Sequence, residues 1–135
     1  MRSGAPFRSA VESGDVDGVL ALVSPDVVFN SPVVYRAYHG REVLGGILRA
    51  VMRVFEDCSY EREIGAEGAS DHALMFRARV GDRELHGCDF LHIGRDGLIE
   101  ELTVMVRPRS AALALAVAMN DEVLALQREL GEQRR

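Results

Sequence analysis

Lysine is absent from this sequence, and all 16 of its basic residues are arginine. Catalysis through a lysine Schiff base is therefore excluded. Long apolar runs are missing as well, since no segment approaches the ~20 apolar residues of a membrane-spanning helix. The opening residues, MRSGAP, are not followed by the apolar run of a signal peptide. We therefore expect a cytoplasmic protein with no membrane partner.

Cysteine and clustered positive charge are also scarce. The two cysteines, Cys58 and Cys88, are expected to be free thiols, because a chain without an export signal folds in a reducing compartment. The arginines are scattered along a chain of net charge −5 and form no basic stripe, so nucleic acid is not an expected partner. A length of 135 residues, 47% of them hydrophobic, predicts one domain spanning residues 1–135.

The spacing of apolar residues changes from a helical period to a period of two near Cys58. The sequence predicts helices over Phe7–Ser13, Val16–Val23, Arg41–Phe55 and Ala111 to about Leu130. It predicts strands over Val27–Phe29, Ser59–Gly65, Ala73–Val80, Glu84–Ile93 and Leu98–Val106. Short glycine-containing turns join the later strands, which predicts an antiparallel meander. A helical group followed by such a sheet indicates an α+β fold.

One acidic residue interrupts an apolar row on the strand that ends at Ile93. Because side chains alternate between the two faces of a strand, one face carries Leu85, Gly87, Asp89, Leu91 and Ile93. A carboxyl group on a core-facing row needs a hydrogen-bond partner, stays protonated, or acts in a pocket. We therefore predict a pocket around Asp89, in which the aspartate is either a catalytic acid or base or a structural group.

The opposite face of the predicted sheet is too apolar for a surface open to water. The same alternation places four apolar residues on it: Cys88, Phe90, Met75 and Met105. An apolar patch rimmed by charge is typical of an interface, so we expect a homodimer joined through this face. Arg77 and Arg79 lie there too, and their expected partners, across the sheet or the dimer, are Glu84 and Glu101. The alternative is a monomer whose final helix covers the face.

Several short strings follow one another at a recognisable spacing. They are ESGDVD at 12–17 with LAL at 20–22, FNSPV at 29–33, GRE at 40–42, DFL at 89–91, RDGLI at 95–99 and VRP at 106–108. Their order and spacing resemble the nuclear transport factor 2-like superfamily, in particular its SnoaL-like and ketosteroid-isomerase-like members. The resemblance implies a cone-shaped α+β barrel, in which a curved antiparallel sheet wraps around a long helix. It also implies a pocket open at one end, a C-terminal helix and frequent dimers.

The resemblance matches the known catalytic sets of these enzymes only in part. Ketosteroid isomerases carry a tyrosine on the first helix, a catalytic aspartate just before a proline, and a second aspartate that donates a hydrogen bond to the enolate. The corresponding residues here are Phe7, Ser31 and Asp89. Limonene epoxide hydrolases and SnoaL-type cyclases need an acid on the last strand. The inward row of that strand is apolar here: Leu102, Val104 and Val106.

Asp89 is the first candidate catalytic residue, with His39 and Tyr38 as assisting groups. His39 precedes the start of the main helix, and Tyr38 belongs to the irregular segment that should border the pocket. If Asp89 is structural instead, its expected partner is Tyr35, Tyr38 or a backbone amide. The predicted ligand-binding residues are Phe7, Phe29, Ser31, Tyr35, Phe55, Leu91 and Val104.

No cofactor or metal is expected. The sequence contains no glycine-rich phosphate loop and no nucleotide fingerprint. His86, Cys88 and His92 share the outer face of a strand, but no fourth ligand is placed to converge on them. The predicted function is binding of a small apolar molecule, with a cofactor-independent proton-transfer reaction of the isomerase, cyclase or epoxide hydrolase type at Asp89. The alternative is a non-catalytic ligand-binding protein or a dimeric interaction module.

Overall fold

The computed structural model describes residues 2–133, with side chains described for residues 2–124 and 128. Its helices are α1 (Ala5–Glu12), α2 (Val16–Leu20), α3 (Arg41–Val54) and α4 (Arg109–Gln133). Its strands are β1 (Val23–Asn30), β2 (Tyr38–His39), β3 (Glu56–Ile64), β4 (Asp71–Val80), β5 (Arg83–Ile93) and β6 (Ile99–Arg107). The α+β class and the C-terminal helix are confirmed. Among the described helices, none combines the length and apolar character that crossing a membrane requires.

The six strands form one curved sheet in the order β2-β1-β6-β5-β4-β3. Strands β3 to β6 form the predicted antiparallel meander. Strand β1 pairs with β6 in parallel, with Phe29 opposite Leu102, so the sheet is mixed, whereas the sequence predicts an antiparallel one. The chain returns through α3 and strands β2 to β5 before β6 begins, and a parallel pair needs such a long connection. Strands β2 and β3 are the two edges, so the sheet stays open and does not close into a barrel.

The first strand is longer than predicted, because it begins at Val23 instead of Val27. Val23 lies opposite Ile99, and an irregularity separates this pair from the regular pairing that resumes at Val28. Helix α2 consequently ends at Leu20. A period-two pattern cannot reveal such a strand, because the bulge shifts the alternation within it.

The helices pack against one face of the sheet and form the core with it. Helix α3 contributes Leu44 and Leu48, and α4 contributes Ala111 and Leu115. The buried row of β4 is the one that alternation predicted: Leu74, Phe76, Ala78 and Val80. Because α4 joins this inner core, the alternative in which the final helix covers the outer face is wrong.

The outer face carries ion pairs between β4 and its neighbour β3. Arg77 pairs with Glu61, and Arg79 lies 3.1 Å from Glu56 and 2.9 Å from Asp57. The expected pairing with glutamates of β5 and β6 within one sheet is therefore wrong, and the pairing across a dimer stays a prediction. Glu56 on β3 and Glu84 on β5 both lie opposite Arg79, but the Arg79 side chain turns towards β3.

Candidate functional site

The buried row of β5 carries the predicted acid. Every second residue from Leu85 to Ile93 is buried, which confirms the predicted alternation. Asp89 is 6% exposed. Its neighbours across the sheet are Leu74 on β4 and Val104 on β6, so apolar side chains surround the carboxyl group on both sides.

The partner of Asp89 is Tyr60 on β3. The Tyr60 hydroxyl donates a hydrogen bond to Oδ2 of Asp89 at 2.5 Å, and both residues are buried. The predicted partners Tyr35 and Tyr38 are therefore wrong. Tyr38 packs near Phe29 instead, with ring centroids 6.3 Å apart.

Tyr60 reaches Asp89 by crossing the intervening strand β4. It lies opposite Phe76, whereas Asp89 lies opposite Leu74, two residues further back along β4. Two strand spacings of ~4.8 Å separate β3 from β5, a span that a long phenolic side chain can bridge. Tyr60 is the only residue of β3 that is buried, in a strand whose other side chains are mostly charged or polar. This isolated aromatic residue was the sequence signal that could have identified it.

Burial controls the ionisation of this pair. It raises the pKa of Asp89 from 3.8 to about 7, and the hydrogen bond from Tyr60 acts in the opposite direction by stabilising the carboxylate. Burial, and then the negative charge of Asp89, raise the pKa of Tyr60 as well. Near pH 7 both forms of the carboxyl group are therefore populated beside a neutral phenol.

The pair lies in the wall of a cavity of about 540 Å³ between the sheet, α1, α3 and α4. Within the part of the chain with described side chains, Asp89 is the only carboxyl group that lines it. Its other polar lining residues are Ser31, Tyr38, Cys58, Tyr60 and Asn120. Val34 and Val123 line the cavity and are 41% and 47% exposed, which marks the mouth, whereas the buried Asp89 lies deep inside.

Seven of the predicted site residues line this cavity. They are Asp89, Tyr38, Phe7, Phe29, Ser31, Phe55 and Val104. They come from five different elements, the loop after β1 and the junction between α3 and β3, so the fold brings together residues that are far apart in the chain. Their roles as catalytic or ligand-binding residues stay predictions.

The other three predicted site residues do not line the cavity. Tyr35 projects fully into solvent, and His39 is exposed on the edge strand β2. Leu91 is on the same row as Asp89, but it is 1% exposed and lies opposite His72 and Leu102 in the closed part of the core. Alternation along a strand identifies a face, but it does not show where on that face a cavity ends.

The remaining polar groups in the cavity are poor proton acceptors. Oγ of Ser31 accepts hydrogen bonds from the backbone amides of Val33 and Val34 at 3.2 and 3.0 Å, which is a turn-forming role. Burial raises the pKa of Cys58 to about 11, so its thiol stays protonated at neutral pH. Asp89 is therefore the group in this cavity that can take up a proton near pH 7.

The outer-face histidines form separate pairs with carboxylates. His86 lies 3.1 Å from Glu61, and His92 lies 2.8 Å from Asp71. Over the described residues, no three side chains of the metal-ligating types converge. The two histidines thus contribute to the charge pattern of the outer face.

Both the sequence and the fold are similar to those of known proteins. Residues 6–102 match the SnoaL-like domain family. A crystal structure of a steroid delta-isomerase from Pseudomonas aeruginosa is 36% identical, with a TM-score of 0.86 over 92% of this chain and 90% of that chain. An uncharacterised protein with a cystatin-like fold from Silicibacter pomeroyi is 32% identical, with a TM-score of 0.86 over 96% and 91% of the two chains. No curated protein matches the sequence.

A more distant structure shares the fold alone. It is a nuclear transport factor 2-like protein of unknown function from Burkholderia xenovorans, 16% identical, with a TM-score of 0.64 over 76% of this chain and 77% of that chain. Together with the family match over most of the chain, these structures confirm the resemblance inferred from the short strings. The protein therefore belongs to the SnoaL-like domain family and has a nuclear transport factor 2-like fold.

Proposed function

We propose that the protein is a cofactor-independent enzyme of the isomerase type, in which Asp89 transfers a proton within a small, mostly apolar ketone. The observation that carries this proposal is the one carboxyl group found among the described residues that line a mostly apolar cavity, with a pKa raised to about 7. A base is most effective when its pKa lies near the working pH. The likeness to a protein named as a steroid delta-isomerase supports isomerase chemistry.

The proposed step moves one proton between two carbon atoms of a β,γ-unsaturated ketone. The Asp89 carboxylate takes a proton from the carbon next to the carbonyl, and the electron pair of the broken C–H bond forms a dienolate. The carboxyl group then returns the proton to the γ-carbon, which moves the double bond into conjugation. The substrate and product are isomers, so no oxidant or reductant is consumed. Tyr60 orients the carboxylate through its hydrogen bond before the transfer.

The cavity supports an apolar ligand of moderate size. Its volume of about 540 Å³ falls within the ~300–1,000 Å³ of typical small-molecule sites. In this proposal the apolar body of the ligand contacts Phe7, Phe29, Phe55 and Val104, with Ser31 and Tyr38 towards the mouth. The carbonyl end of the ligand lies at the buried Asp89.

Turnover of a panel of β,γ-unsaturated ketones, including a steroid, tests the proposal through the absorbance of the conjugated product. We expect Asp89→Asn to lower kcat by roughly 10²–10⁴-fold, the usual contribution of a general base. The matched control is Asp82→Asn, because the Asp82 side chain is 97% exposed in the turn between β4 and β5. Equal rates in the parent and Asp89→Asn would refute the proposed role.

The pH dependence of kcat/KM distinguishes a base from an acid at Asp89. A catalytic carboxylate requires the ionised form, so the rate should rise with pH and level off above about 7. A rate that falls as pH rises through this range would instead assign Asp89 to hydrogen-bond donation from its neutral form.

A non-catalytic ligand-binding protein is the second candidate. It is favoured by one observation: Oγ of Ser31, at the position of the isomerase base, is held in a turn by two backbone amides. Calorimetry with a saturated ketone, together with the turnover assay, separates the two candidates. Saturable binding that survives Asp89→Asn, with no product formed by the parent protein, supports the binding role.

We also propose that the partner on the outer face is a second copy of this chain. The register aligns the outer-face residues of β4, β5 and β6 in layers across the sheet. From one end to the other the layers are Asp71, His92 and Glu101; Ala73, Phe90 and Thr103; Met75, Cys88 and Met105; and Arg77, His86 and Arg107. Two such faces packed antiparallel place the acidic layer of one copy against the basic layer of the other, around an apolar centre.

The oligomeric state in solution tests this interface. Met105 is 59% exposed at the apolar centre, and Leu113 on α4 is 60% exposed elsewhere. Sedimentation equilibrium should find a dimer for the parent and for Leu113→Arg, and a monomer for Met105→Arg. A parent monomer, or dissociation only with Leu113→Arg, would contradict the proposed interface.

A further inference from the structure

We propose that Gly87 and Phe76 form a positioning unit for the catalytic pair. Because position 87 has no side chain, the Phe76 ring lies over β5, and in that position it holds the Tyr60 hydroxyl against Asp89. Neither residue transfers a proton. This inference rests on the proposed role of the Asp89–Tyr60 pair, but its test does not require turnover.

Position 87 has to be glycine because the Phe76 ring leaves no room there for a side chain. A Cβ atom there would lie 2.2 Å from Cζ of Phe76, and 2.6 and 2.7 Å from its two Cε atoms. Contacts this short do not occur between carbon atoms, so any other residue would force the ring to move. The tip of the Phe76 ring therefore occupies the volume that a side chain of residue 87 would fill.

The Phe76 ring is also the neighbour of Tyr60. Phe76 is 2% exposed and lies opposite both residues, with Tyr60 on one side in β3 and Gly87 on the other in β5. The rings of Tyr60 and Phe76 meet edge to face, with centroids 5.7 Å apart and an interplanar angle of 66°. Phe55 packs on the same ring at 5.9 Å. Phe76 is thus held from several sides.

Because the Phe76 ring is displaced towards β5, space remains above β4 for the side chain of Tyr60. Tyr60 must cross β4 between Phe76 and Leu74 to reach Asp89. An upright phenylalanine ring above β4 would occupy part of that path, since neighbouring strands are only ~4.8 Å apart. The edge contact with the leaning ring then limits the rotation of the phenol and keeps its hydroxyl 2.5 Å from Oδ2 of Asp89.

The first test is Gly87→Ala, followed by proton and carbon NMR. The added methyl group should push the Phe76 ring towards Tyr60 and break the hydrogen bond. We expect the downfield hydroxyl proton of Tyr60, assigned by its absence in Tyr60→Phe, to disappear. The carboxyl carbon of Asp89 should then titrate roughly one to two pH units higher, since a hydrogen bond that stabilised the carboxylate is lost.

A second variant keeps the test decisive if Gly87→Ala does not fold. Phe76→Leu removes the Cε and Cζ atoms that support Tyr60, so the downfield hydroxyl proton should again be lost or shifted upfield. The matched control is Phe29→Leu, the same substitution at another aromatic residue of the cavity wall. It should leave the hydroxyl signal of Tyr60 unchanged.

A merely structural role predicts a different result. Gly87→Ala and Phe76→Leu would then lower the melting temperature but leave the hydroxyl signal and the Asp89 titration at their parent positions, and that outcome overturns the inference. Neither NMR measurement depends on catalysis. Failure of the turnover assay in the parent protein therefore refutes the proposed function without affecting this test.

Discussion

The two faces of this sheet shift the pKa of an aspartate in opposite directions. Asp89 on the inner face is 6% exposed and is bonded to a phenol, and burial raises its pKa to about 7. Asp71 on the outer face is exposed and is bonded to His92 at 2.8 Å, and this hydrogen bond lowers its pKa below the ordinary value. The chemistry of each aspartate is thus determined by solvent access and by its partner.

The two faces also differ in what they contribute to the protein. The inner face supplies the core and one poised acid, so changes there should alter stability and ionisation together. The outer face carries exposed ion pairs, such as Arg77 with Glu61, which are screened by water and salt. Its proposed contribution is the pairing of two copies.

The largest expected effect concerns Asp89→Asn. This variant should lose the part of the pH dependence of folding stability that Asp89 causes in the parent. The pKa of Asp89 is raised on folding, so its contribution to stability is fully present below about 4 and is lost as pH rises through about 7. A shift of this size corresponds to a change on the order of 4 kcal/mol between the two limits. Chemical denaturation of the parent and of Asp89→Asn at several pH values measures it.

Asp71→Asn is the outer-face counterpart of that experiment. The pKa of Asp71 is lowered on folding, so its contribution has the opposite sign and is lost towards acid pH. The difference in free energy of unfolding between the parent and Asp89→Asn should therefore fall with rising pH. The same difference between the parent and Asp71→Asn should rise with pH. If both differences changed with pH in the same direction, folding would not shift the pKa values of Asp89 and Asp71 in opposite directions.

The next effect concerns adjacent residues of β4 that point to opposite faces. Leu74 is fully buried on the inner row, and Met75 is half-buried on the outer one. We expect Leu74→Ala to lower the free energy of unfolding by about 3 kcal/mol, through lost burial and a residual void. In the Met105→Arg variant, which we expect to be monomeric, Met75→Ala should cost less than about half of that, because Met75 is only half-buried within one copy. Urea denaturation compares them, and equal losses would contradict the assigned faces.

A smaller effect is expected from Tyr60→Phe. Removing the hydroxyl leaves the Asp89 carboxylate without its donor, at a cost of about 1–3 kcal/mol when the carboxyl is ionised. The loss should be larger at pH 8 than at pH 5, because the neutral carboxyl depends less on this hydrogen bond. Thermal unfolding at the two pH values measures the difference. His92→Gln on the outer face is the comparison, and its loss should be larger at pH 5, because the hydrogen bond to Asp71 raises the pKa of His92. A loss independent of pH would show that Tyr60 acts only by packing.

The sequence was sufficient to predict the inner row around Asp89, because a period of two along β5 depends only on local geometry. The same holds for the meander of β3 to β6, whose turns are short and contain glycine. Local strings also identified the family, since their order along the chain reflects the order of elements.

Features that depend on the register between distant strands could not be predicted. The sequence does not show that Tyr60 is the partner of Asp89, because their contact crosses β4 and lies next to a pairing irregularity at Tyr60. The sequence predicts Tyr35 at the pocket, but the loop after β1 has no periodic pattern to show which of its side chains face outward. The parallel pairing of β1 with β6 is also not visible in the sequence, because it joins segments separated by most of the chain.

Direct titration of the two aspartates tests the central claim, that one sheet holds a poised acid on its inner face and an ordinary ion pair on its outer face. Carbon NMR of the side-chain carboxyl groups, assigned with Asp89→Asn and Asp71→Asn, gives both midpoints in one sample. The account predicts a midpoint near 7 for Asp89 and one below the ordinary value of 3.8 for Asp71. A midpoint for Asp89 at or below that ordinary value would contradict it.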